Sequence, residues 1–64
     1  MFKADKTLSL LGVSSTGSKH GLLIETSNND LRFTVTGHNG KRHAAVILPD
    51  VDGDTISAFL RGVI

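Results

Sequence analysis

The chain has 64 residues, with 7 lysines and arginines, 6 acids, 3 histidines and no cysteine, for a net charge of +1. That length makes a single domain, residues 1–64, whose thin core often calls for a disulfide, a metal or a second subunit. Without cysteine there is no disulfide framework or thiolate chemistry, which favours a reducing compartment such as the cytoplasm. A near-balanced charge lacks the strongly basic signature of an obligate nucleic-acid binder.

Residues 1–6 read as a polar lead-in. The apolar stretch Leu8 to Val13 follows Lys3, but Asp5 and Lys6 interrupt it and it is too short for a secretory signal. It reads as a strand over about 7–14. No run approaches the ~20 apolar residues of a membrane span, so no membrane partner is expected. Ser15-Thr16-Gly17-Ser18-Lys19 is a small polar loop. Strands follow at about 20–26, 31–36 and 42–48. Pro49 cannot donate to a ladder and ends the last of them. Asp50-Val51-Asp52-Gly53-Asp54 then leads into a helix over about 55–63.

Two turn signals organise the strands. Asn39-Gly40 between alternating runs is a strong hairpin signal, because both residues tolerate the positive φ of a type I′ turn. Asn28-Asn29 is a weaker copy. Two-residue loops at these sites make opposing residue numbers sum to 79 and to 57. Both put the same residues of the third strand on one face. The resulting rows are Leu22–Val35–Ala44, Ile24–Phe33–Val46 and Thr26–Leu31–Leu48. A slip of one residue would scatter each row, so the agreement specifies a meander. Glu25 and Arg32 fall opposite each other on the other face, a surface pair worth a few tenths of a kcal/mol.

Ile56, Phe59, Leu60 and Val63 make one apolar stripe along the helix, suited to packing on these rows. Asp52 or Asp54 suits its start and Arg61 its end. The class is therefore α+β, a four-stranded antiparallel β-meander followed by one amphipathic C-terminal helix packed on one face. The opposite sheet face should be polar, yet it carries apolar residues. Leu11, Val13, Leu23, Ala45 and Ile47 are the candidate partner or homodimer interface, since so small a chain gains from a second core. A strand edge can serve the same purpose.

Several chemical motifs fail on inspection. In Asp50–Asp54 the glycine is fourth, and Arg61 stands where a calcium loop needs its twelfth-position glutamate. Helix capping explains those acids better. Three histidines without cysteine fall short of a zinc site. Gly17-Ser18-Lys19 lacks the full phosphate-loop pattern and no helix follows it. No nucleophile elbow appears, and a sheet this small offers no water-excluding cleft. No catalytic residue, metal or cofactor is expected, so the chain reads as non-enzymatic.

A basic cluster remains. The meander brings Lys19, His20, His38, Lys41, Arg42 and His43 to one end of the sheet, where they suit phosphate contacts. An ordinary solvated turn is the plainer alternative. Aromatic stacking has little support, because Phe33 and Phe59 read as buried and only Phe2 is left free.

The order of elements, with Arg42 to Val63 running strand, Leu48-Pro49-Asp50, then amphipathic helix, resembles the positive-cofactor type of single-stranded-DNA-binding module. The likeness covers the whole chain by order of elements and rests on no specific motif. It implies dimerisation through helix and sheet, with basic strands and loops holding the nucleic acid. Two function classes follow. One is a small nucleic-acid-binding or regulatory module using the basic end. The other is a protein-interaction module, an inhibitor or adaptor, using the apolar outer face or a strand edge.

Overall fold

The computed structural model describes residues 2–37 and 39–62. His38 and Val63, expected at a hairpin tip and on the helix stripe, lie outside them. Four strands, β1 (Lys6–Val13), β2 (Lys19–Thr26), β3 (Asp30–Gly37) and β4 (Arg42–Pro49), are followed by one helix, α1 (Val51–Leu60). The strands form one antiparallel sheet in the order β1-β2-β3-β4. This is the expected α+β meander with its C-terminal helix.

The register agrees with the sequence arithmetic. Leu22 faces Val35, Ile24 faces Phe33, and Glu25 faces Arg32. Leu31 faces Leu48, Phe33 faces Val46, and Val35 faces Ala44. β1 extends the rows, with Leu10 opposite Leu22 and Leu8 opposite Ile24.

The turns differ from expectation, although the register survives. No described residue other than glycine has positive φ, so neither Asn28-Asn29 nor Asn39-Gly40 is a type I′ turn. Ser27 N–H donates to Asp30 O at 2.8 Å, closing the first as a two-residue loop all the same. The second closes one step wider. Gly37 N–H donates to Lys41 O at 2.8 Å and Gly40 N–H to Gly37 O at 3.0 Å, with Gly40 at φ 79°. That spacing alone would shift β4 by one residue. A bulge between Val35 and Thr36 restores it: Thr36 pairs with Arg42, Val35 pairs with Ala44, and His43 is the extra residue. The β1–β2 loop has the same closure. Ser14 N–H donates to Ser18 O, Gly17 N–H donates to Ser14 O, and Gly17 has φ 89°.

The helix begins four residues earlier than expected, at Val51. Asp50 is its N-cap residue and makes no side-chain capping bond, while Asp52 and Asp54 lie in the first turn. There they complement the positive end of the helix dipole without capping it. Asp50 N–H donates to Asn29 O at 2.9 Å, which starts the helix beside the first residues of β3. Gly53 comes so close to Leu31 that an added Cβ would lie 3.1 Å from its Cδ1. The helix therefore covers one corner of the sheet, where Ile56 and Leu60 border a hollow shared with Ile24, Leu31 and Phe33. Ile56 is half-buried, but Phe59 and Leu60 are exposed. The expected full lid over the inner rows is absent, because the early start anchors α1 at the corner.

The sheet thus has a helix face, carrying the three apolar rows, and an outer face of opposite parity. Among the described residues no apolar side chain is buried. The two buried polar side chains, Glu25 and Thr34, both belong to the outer face. The molecule is a thin slab, 33 × 31 × 15 Å.

Candidate nucleic-acid interface

Antiparallel pairing decides which charges meet. The start of β2 and the start of β4 lie at the same end of the sheet, because each follows a hairpin loop at that end. Lys19, His20, Lys41, Arg42 and His43 are therefore gathered there. The other end receives Asp5, whose N–H donates to Thr26 O, together with Asp30, Asp50, Asp52 and Asp54. Lys6, opposite Thr26, is a cation of that acidic end. Eight-residue strands at about 3.3 Å per residue hold the two poles roughly 25 Å apart.

The histidines are brought together by a bulge and a glycine. Gly37 is opposite His20 across β2–β3. The bulged His43 leans over Gly37 from the other side, its Nε2 2.6 Å from where a Cβ on Gly37 would stand. Only a residue without a side chain leaves that space. The His20 and His43 rings consequently meet, with centroids 5.8 Å apart and planes tilted by 35°. His20 Nδ1 lies 3.1 Å from Ser18 O. Lys41 N–H donates to Asn39 Oδ1 at 3.0 Å, which stiffens the turn beside it.

Among the described residues the one ion pair is Arg32–Glu25, so Lys19, Lys41 and Arg42 form none. Their cationic heads are available to an anion. A shallow concavity at this end is lined by Leu11, Val13, Lys19, Thr36 and Gly40, among others.

The expected partner residues lie on the outer face. Leu11 is 92% exposed, Val13 and Ile47 are more than half exposed, Ala45 is exposed, and Leu23 is half-buried. They do not form one apolar patch, because the centre of that face is polar. Arg32 Nη2 lies 2.8 Å from Glu25 Oε1, and Arg32 Nε donates to the same oxygen at 2.9 Å. The Phe2 ring stacks on this guanidinium, 4.4 Å from Cζ to centroid. Phe2 is therefore engaged rather than free, and the lead-in is tied to the outer face. No residue pattern near the start of the chain announces that contact. Gly37 also escaped the sequence reading, since its role appears only once the bulge places His43.

No helix among the described residues is long and apolar enough to cross a membrane. No protein-family model, no curated protein and no solved structure matches the chain.

Proposed function

We propose that the chain is a non-enzymatic nucleic-acid-binding module that grips phosphates with the basic end of its sheet. The observation that carries this reading is the charge separation along the strands. Among the described residues Lys19, Lys41 and Arg42 form no ion pair and lie beside the His20–His43 pair, while the acids of Asp50 to Asp54 lie at the far end. A polarised slab orients a polyanion before contact and holds it at one pole. With Phe2 occupied by Arg32, the binding rests on phosphates more than on stacked bases, so it tolerates different sequences.

The test is titration of labelled single- and double-stranded oligonucleotides at several salt concentrations. Three phosphate contacts predict that log K falls by about 2–3 units per decade of salt. Lys41→Ala/Arg42→Ala should remove about two thirds of that slope while leaving the fold intact. Absence of binding at low salt would overturn the proposal. The alternative would then be a protein-interaction module acting through Leu11, Val13 and Ile47, whose exposure is the observation in its favour.

A further inference from the structure

We propose that His20 and His43 together hold a divalent transition-metal ion such as zinc, which clips β2 to β4 across Gly37 of β3. Sequence spacing offers no such site, because the two histidines belong to different strands with a third strand between them. The bulge at His43 and the bare Cα of Gly37 bring them together. Their ring centroids are 5.8 Å apart. A tetrahedral ion bound about 2.0–2.1 Å from one nitrogen of each ring sets the centroids roughly 5 Å apart. A small side-chain rotation closes that difference.

The ring nitrogens suit the task. His20 Nδ1 lies 3.1 Å from Ser18 O. A carbonyl oxygen only accepts, so Nδ1 carries the proton and Nε2 of the neutral ring keeps its lone pair. A metal-binding histidine is held in this way by its outer partner. His43 reaches over Gly37, the residue opposite His20, with its Nε2 as the nearest atom. Asn39 Oδ1 lies 3.4 Å from the same Cβ position on Gly37. It accepts Lys41 N–H, so the atom there is the amide oxygen, a further donor. Among the described residues no three of His, Cys, Asp and Glu converge. The chelate is therefore two imidazoles, a ligand type that suits zinc, copper and nickel, with further positions left to this oxygen or to water.

The neighbouring charges leave room for a cation. Successive strand residues point to opposite faces. Lys19 pairs with Val13 and Arg42 with Thr36, both on the outer face. His20 shares the helix face with Leu22 and Ile24. Of the three cations at this end, only Lys41 lies in the turn itself. A metal clip also suits a chain of 64 residues without cysteine, since metal binding adds directly to folding stability.

Calorimetric titration of the chain with zinc chloride tests this. No oligonucleotide is present, so the outcome is independent of the phosphate reading. The expected result is one ion per chain, with an unfolding midpoint that rises with zinc concentration. Absence of binding would overturn the proposal. His20→Ala and His43→Ala should each weaken binding at least ~10-fold, the lower end of what even an outer-shell loss costs. Neither side chain is buried, so the zinc-free unfolding midpoint should stay close to the original. The double variant should lose little more than either single one, because one imidazole alone makes no chelate. Losses that multiply would mean two separate histidines and refute the pair. Binding that survives these changes would place the ion elsewhere, with the acids of the far end, and refute it as well. Gly37→Ala keeps both imidazoles and needs no unusual backbone, since Gly37 has no positive φ. Its Cβ displaces His43 Nε2 and should weaken zinc binding ~10-fold. An unchanged affinity in that variant would overturn the convergence over Gly37.

Discussion

The two faces of this sheet invert the usual relation between polarity and burial. The helix face carries the apolar rows and leaves Leu8, Leu10, Val35 and Val46 exposed. The outer face is mixed, yet it contains the two buried polar side chains, Glu25 and Thr34. Its cover is local: Arg32 bridges Glu25 and Phe2 stacks on Arg32. The difference teaches where the single chain is self-sufficient. The salt bridge is satisfied across β2 and β3, and the stack by the lead-in residue Phe2. Apolar rows need an opposing layer, and a ten-residue helix held at one corner cannot supply it.

If the outer face is a closed local network, its members should respond in graded fashion. The largest response belongs to Arg32→Met. It leaves Glu25, only 7% exposed, without its cation and should destabilise the chain by about 2–3 kcal/mol. Chemical denaturation measures this. Adding Glu25→Gln should recover more than half of the loss, because a neutral amide is easier to bury. An Arg32→Met chain as stable as the original would show that the outer face is as open as the other.

Thr34 tests the same contrast with opposite sign. Its side chain is 1% exposed and its Oγ1 has no hydrogen-bond partner. Thr34→Val keeps the shape and removes an unsatisfied buried hydroxyl, so the denaturation midpoint should rise, by about 1 kcal/mol in stability. A loss of similar size would mean that the hydroxyl has an uncounted partner and that the outer face is wetter than its burial implies.

The parts legible in the sequence were those set by period-two patterning. The rows through Phe33, the Glu25–Arg32 pairing and the basic end all follow from alternation plus short loops. Turn chemistry was less legible because different loops yield one register. A two-residue turn at Asn39-Gly40 and a wider closure plus a bulge at His43 leave Val35 opposite Ala44 either way. The helix start was misplaced because Val51 and Gly53 are poor helix formers, and only the anchoring of Asp50 to Asn29 favours an early turn. The His20–His43 contact depends on that bulge and on Gly37, and no spacing rule contains it.

Phe2 gives the smallest and most discriminating effect. The ring lies 4.4 Å from the Arg32 guanidinium carbon, in a segment whose next backbone tie is Asp5 N–H to Thr26 O. A partly exposed cation–π contact contributes about 0.5–1 kcal/mol. Phe2→Ala should therefore lower stability by about that amount, read by denaturation. Phe2→Leu should recover only the part due to apolar covering, since it restores bulk without a π face. In the Arg32→Met background the ring has no cation to meet, so Phe2→Ala should there cost only the apolar-covering part, the difference between the Phe2→Ala and Phe2→Leu losses in the original chain, with the coupling read as a double-mutant cycle. Additive losses would mean that Phe2 shields the outer face by bulk alone. Coupled losses would make the lead-in, Arg32 and Glu25 one unit, the local cover that the helix face lacks.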